Sequence, residues 1–302
     1  MAERDYPPPV DYRQMPFDGG SIEYIVDGPD GAPDLLLFHL GTPCAAVPFD
    51  GLTRAAAAAG MRTAIYSRPG FGQSTRHAGR IIADEAATSA ALAAHLGHDP
   101  FYTAGWSGGG PVALACASLL PERVRACLTI GSIAPWHEAG AISAFGFRPE
   151  DQREWEMLGS DDPSELIPDF EKAAANADDR TAQALASNAR SNDLDRLAIL
   201  GPDRLGETIA SSMRRAYLTG WQGHYDDNIA EARPWGFNVA DIRVPVVVRH
   251  GDDDGRVSIE HGRWLARTIP GARGVFPPGG GHMSILVSFE DVVAQLVEAA
   301  AR

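Results

Sequence analysis

The sequence predicts an α/β domain: a mostly parallel, doubly wound sheet with helices on both faces, interrupted once by an all-helical insertion. Three observations carry this expectation. Short runs rich in Val, Ile, Leu and Tyr alternate with longer Ala-rich stretches of helical character, the βαβα order of a layered α/β domain. Most of these runs are continuously apolar, as strands buried on both faces must be. Residues 137–232 show no convincing strand, and a stretch of that length cannot be a plain loop inside a compact domain.

The elements follow in order. Residues 21–26 (SIEYIV) alternate polar and apolar and predict a half-exposed strand near a sheet edge. Residues 35–39, 63–67, 101–105, 126–131 and 244–250 are denser in apolar side chains and predict central strands, with a short last strand at 274–276. Helices are expected at 49–59, 82–96, 109–119, 259–268 and 289–301. The insertion reads as a helical cap over 137–232, with segments such as PEDQREWEML and DRLGETIASSMRRAYLTGW. The latter sets Ile209, Met213, Ala216 and Tyr217 at helical spacing. The core domain is then 1–136 together with 233–302. The cap holds 19 acidic and nine basic residues, a net of −10 against −14 for the whole chain. That concentration leads to the expectation that anionic substrates are disfavoured at its entrance.

Composition excludes several function classes. A net charge of −14 argues against nucleic acid, whose phosphates demand a basic patch. Lys172 is the sole lysine among 26 basic residues and follows no glycine loop, which removes Schiff-base and P-loop chemistry. Cys44, Cys116 and Cys127 are odd in number and lack ligand-like spacing, so reduced thiols and a cytoplasmic location are expected. No signal-peptide-like core opens the chain and no 18-residue apolar run occurs, so no membrane association is expected.

The sharpest local signal is GWSGG, residues 105–109, between a predicted strand and a predicted helix. A serine on such a tight turn is held in strained dihedrals that lift its oxygen above the sheet, and the flanking glycines let the backbone double back. The helix N-terminus adds unpaired N–H groups for an oxyanion. A nucleophilic Ser107 needs a base. His282, in the glycine-rich loop PPGGGHMS after the last strand, sits where the catalytic groups of open α/β sheets gather. His77, His95, His98, His137, His224 and His261 lie in polar or helical settings and are expected at the surface or at caps, while His39 and His250 end strands. The segment HGDDDGRVS after residue 249 offers Asp252, Asp253 and Asp254 as the carboxylate that orients the imidazole.

These motifs together resemble the α/β-hydrolase superfamily, from about Ser21 to the C-terminus. The resemblance implies an α/β-hydrolase fold and selects Asp254, because Gly251, Asp254 and Val257 match the family's G-x-x-D-x-x-V, and it implies the chain order Ser107, Asp254, His282. HLGTP, residues 39–43, stands where the family carries its oxyanion loop, implying backbone N–H donors at Gly108 and at Thr42 or Gly41. Two departures are Leu40, where glycine or histidine is common, and Ser67, where the family usually has Asp. The second is expected to affect stability rather than the reaction.

A serine nucleophile separates the chain from aspartate-nucleophile dehalogenases and epoxide hydrolases of the same fold. No metal-ligand motif or dinucleotide fingerprint occurs, so no metal or cofactor is expected. The resemblance implies a serine hydrolase acting on a small or medium carboxylic ester, lactone or thioester, a small-molecule partner rather than a macromolecule. Alternatives are an amidase of the proline iminopeptidase type, a slow-turnover ligand receptor, and peracid formation as a side reaction. Trp106, Leu40, Trp136, Phe145, Tyr217 and Trp221 are the candidate substrate-contacting residues.

Overall fold

A computed structural model describes residues 10–136, 149–188 and 190–302. One eight-stranded sheet organises them, comprising β1 (Arg13–Phe17), β2 (Gly20–Asp27), β3 (Asp34–His39), β4 (Met61–Tyr66), β5 (Phe101–Trp106), β6 (Val124–Ile130), β7 (Val246–Arg249) and β8 (Arg273–Val275). The spatial order is β1-β2-β4-β3-β5-β6-β7-β8. Only the β1–β2 and β2–β4 pairings are antiparallel.

The period of two along each strand divides the core into two layers. In β3, Leu36 and Phe38 enter one apolar cluster while Leu35 and Leu37 enter the other. In β7, Val247 joins the first cluster, and Val246 and Val248 the second. The first layer is closed by α1 (Asp50–Ala58) and the C-terminal helix Phe289–Ala300, the second by α2 (Asp84–His95), α3 (Gly109–Leu119) and the helix Ile259–Thr268. Strands covered in this way must be apolar throughout, and β5 is buried at all six positions.

Between β6 and β7 the described residues form only helices: α4 (Pro149–Leu158), α5 (Ile167–Ala175), α6 (Ala182–Ala186), α7 (Asp193–Leu200), α8 (Leu205–Arg215) and α9 (Gln222–Ala232), with short 3-10 turns. The two helices that follow β7 are α10 (Ile259–Thr268) and α11 (Phe289–Ala300). Among the described residues no helix is long and apolar enough to cross a membrane. All three cysteines are buried and free.

At the first sheet edge β2 lies near the edge, as expected, but it is not half-exposed. β2 is second from the edge, because β1 folds back on it through a two-residue turn at Asp18 and Gly19, both with positive φ. The polar member of the β2 alternation, Glu23, is fully buried rather than facing solvent. It pairs with Arg215 of α8 at 2.5 Å and accepts a hydrogen bond from Ser67 Oγ at 2.8 Å. Ser67 Oγ also accepts the Ala46 N–H, so the residue that replaces the family's Asp joins β4 to the loop after β3.

Candidate active site

Ser107 lies between β5 and α3 with φ of +54°, one of three non-glycine residues at positive φ among those described. Only such a left-handed residue lets the chain reverse from strand into helix this sharply. The neighbouring glycines are sterically required. A Cβ on Gly105 would fall 2.0 Å from Gly109 O, one on Gly109 2.1 Å from His39 O, and one on Gly110 2.1 Å from Ser132 Oγ. Gly41 is required for the approach of the other loop, since a Cβ there would stand 2.9 Å from Ser107 Cβ.

His282 is held from two sides. Its Nδ1 lies 2.7 Å from Asp254 Oδ2, and its carbonyl accepts the Trp106 indole N–H at 3.1 Å. The Trp106 ring also packs against the imidazole, with centroids 5.3 Å apart. Asp254 is fixed in turn, Oδ1 accepting the N–H groups of Arg256 and Val257 at 2.8 and 2.9 Å. Burial pushes the Asp254 carboxyl up, but the facing His282 outweighs it and leaves the group below the ordinary carboxylate range. With Nδ1–H directed at Asp254, the Nε2 of His282 is the free basic nitrogen.

Ser107, His282, Gly108, Thr42 and Trp106 line one cavity of about 240 Å³. The backbone N–H groups of Gly41, Thr42 and Gly108 donate to no acceptor among the described residues, and Thr42 and Gly108, though not Gly41, line the cavity. Gly108 is also sterically fixed: a Cβ there would meet Glu231 Oε1 at 2.1 Å and Thr42 Oγ1 at 2.4 Å.

Other candidate residues fall elsewhere. Leu40 is buried in the core and does not line the cavity; its carbonyl accepts from Arg68. Trp136 stacks on Trp155, which does line the cavity. Tyr217 stands behind the cavity residue His224, its hydroxyl 2.9 Å from Nδ1, and Trp221 packs edge-on against Tyr225. Phe145 lies outside the described residues.

The polar wall of the cavity escaped sequence reasoning. His224 is half-buried on that wall rather than at the surface, and desolvation lowers its pKa to about 3, so it is neutral. His261 is buried as well, its Nδ1 accepting the Ala134 N–H at 3.0 Å. Asp151, Glu154, Arg190, Glu231 and Arg256 also line the cavity. Their only sequence signal is charge, which the cap, home to all of them but Arg256, carries in abundance. Asp227 binds Arg68 at 2.6 Å and Arg80 at 2.6 Å, and accepts from Thr42 Oγ1, which ties α9 to the loop after β3.

Comparison with known proteins agrees with this architecture. A family model described as alpha/beta hydrolase fold matches residues 34–289. A non-heme haloperoxidase from Rhodococcus erythropolis is 27% identical over 296 residues, 94% of this chain and 98% of the relative. An esterase from Exiguobacterium antarcticum superposes with a TM-score of 0.68 at 18% identity, covering 94% and 97% of the two chains. The enol-lactonase from Burkholderia xenovorans LB400 gives 0.65 at 17% identity, covering 96% of this chain and all of its own.

Proposed function

The chain belongs to the alpha/beta hydrolase fold family, and from that premise we propose that it is a cofactor-independent serine hydrolase cleaving small or medium carboxylic esters, lactones or thioesters through an acyl-enzyme on Ser107. The observation that carries this reading is a serine at positive φ sharing a cavity with His282, itself locked at 2.7 Å on Asp254. Ser107 Oγ attacks the acyl carbonyl while His282 Nε2 takes its proton, and Asp254 stabilises the resulting imidazolium. The N–H groups of Gly108 and Thr42 meet the oxyanion as charge develops, an effect of about 3 kcal/mol per donor. His282 then protonates the leaving alcohol and activates the water that releases the acid.

Similarity to the esterase and the enol-lactonase supports ester and lactone substrates over amides. The haloperoxidase relative favours one second reaction at the same site, in which hydrogen peroxide replaces water and the acyl-enzyme yields a peracid. Ser107→Ala should reduce hydrolysis of a p-nitrophenyl ester to background with unchanged circular dichroism. Retained turnover would remove Ser107 from the mechanism.

A further inference from the structure

We propose that Arg256 forms an anion subsite in the Ser107 cavity, so that the preferred substrates are esters or lactones bearing a second, free carboxylate. The proposal rests on the serine-hydrolase reading and specifies its substrate class.

Arg256 lines the same cavity as Ser107, His282 and Met283. Its Nε and Nη2 atoms are buried and have no hydrogen-bond partner among the described residues. The nearby carboxylates are committed elsewhere. Asp254 holds His282 through Oδ2 and two backbone N–H groups through Oδ1. Asp195 accepts the N–H groups of Met283 and Ser284 at 3.0 and 2.8 Å through Oδ1. Arg190, the other arginine on the wall, is already chelated by Asp151 at 2.7 and 2.6 Å. The wall therefore carries one guanidinium held by a carboxylate and one, Arg256, that feels the Asp195 and Asp254 charges but hydrogen-bonds to no carboxylate through Nε or Nη2.

A buried guanidinium stays charged at neutral pH, and an unpaired one is costly until an anion arrives. A carboxylate fits it with two charge-assisted hydrogen bonds. Glu231 shares the wall, and burial together with the Asp227 charge pushes its pKa up to about 7, which weakens it as a counter-ion; Glu154 shares the wall as well but is exposed to solvent. The volume, about 240 Å³, suits a short diacid derivative. Net charge on the cap leads to the opposite expectation, but exposed charges are screened beyond about 8 Å at physiological ionic strength, whereas a buried guanidinium is not. The competing assignment is that Arg256 only balances Asp195, whose Oδ2 also lacks a hydrogen bond.

Competition against fluorophosphonate labelling of Ser107 separates these. Monoethyl glutarate should protect the wild type at concentrations roughly ten- to hundredfold below those of its carboxamide isostere. Arg256→Gln should bring that ratio to near one, and Arg256→Lys should retain part of it. The ratio is taken within each enzyme, so a general disturbance of the loop cancels. A wild-type ratio near one, or a ratio that survives in Arg256→Gln, overturns the subsite. Failure of wild-type Ser107 to label overturns the serine-hydrolase reading, and the subsite with it.

Discussion

Thr42 carries one hydroxyl proton and faces two carboxyl groups, with Asp227 and Glu231 both in hydrogen-bond contact with its Oγ1. Arg68 donates to the same oxygen at 3.0 Å. A single proton cannot serve both carboxylates, so one of them must itself be protonated. Burial would raise the Asp227 pKa, but Arg68 and Arg80 outweigh it and hold the group well below the carboxylate range. Glu231 is pushed up to about 7, first by burial and then by the Asp227 charge. Glu231 is therefore the protonated partner. Its folded pKa lies above the unfolded value, so the native state holds the extra proton between about pH 4.5 and 7. Stability should fall as pH rises through that window and level off above it. Glu231→Gln removes the titration, so the variant should lack this decline and gain up to roughly 3 kcal/mol relative to wild type at pH 8. Urea melts across pH 4.5 to 8 check it; parallel curves for the two proteins would refute the assignment.

At the scale of elements, α7 joins the insertion to the loops that carry Asp254 and His282. Asn192 caps it through Oδ1, accepting the Asp195 N–H at 2.8 Å, while its Nδ2 reaches Asp253 O, Asp253 Oδ2 and Gly279 O. One turn on, Asp195 is fully buried under the His282 loop, and Gly281 must be glycine because a Cβ would fall 2.3 Å from Asp195 Oδ1. The helix thus braces the segment that aims the imidazole. Asp195→Ala leaves the buried Met283 N–H and the half-buried Ser284 N–H without an acceptor and should cost about 2–4 kcal/mol of stability. It should also lower kcat about tenfold with KM little changed, because a loosened His282 impairs proton transfer more than binding. Ester kinetics and urea denaturation check both, and unchanged kcat would show that the brace is not needed for catalysis. Nothing local in the SNDLD segment signals the partners Asn192 finds on the Asp253 and Gly279 loops.

Over the whole molecule, legibility follows from how local the determinants are. Ser107, Asp254 and His282 each stand on a loop at the end of a strand, with glycines whose necessity is steric and therefore visible in the sequence. The alternating helices and strands of the core were legible for the same reason, as periodicity is a short-range property. β1 was not, because Pro16 and its exposed positions blur the strand pattern at an edge that needs only one apolar face. Nor were Glu231, Asp195 and Arg256, since which of many charged residues turns inward is decided by tertiary docking. Glu231 and Asp195 fasten the helical insertion to the Thr42 loop and to the His282 loop, respectively. The account as a whole stands on a covalent intermediate at Ser107. Rapid-quench mass spectrometry during turnover of a p-nitrophenyl ester tests this most directly. The expected result is a single acyl adduct on the peptide carrying Ser107, formed in a burst stoichiometric with enzyme and absent from Ser107→Ala; hydrolysis at full rate with no adduct, or with the acyl group on another residue, would contradict it.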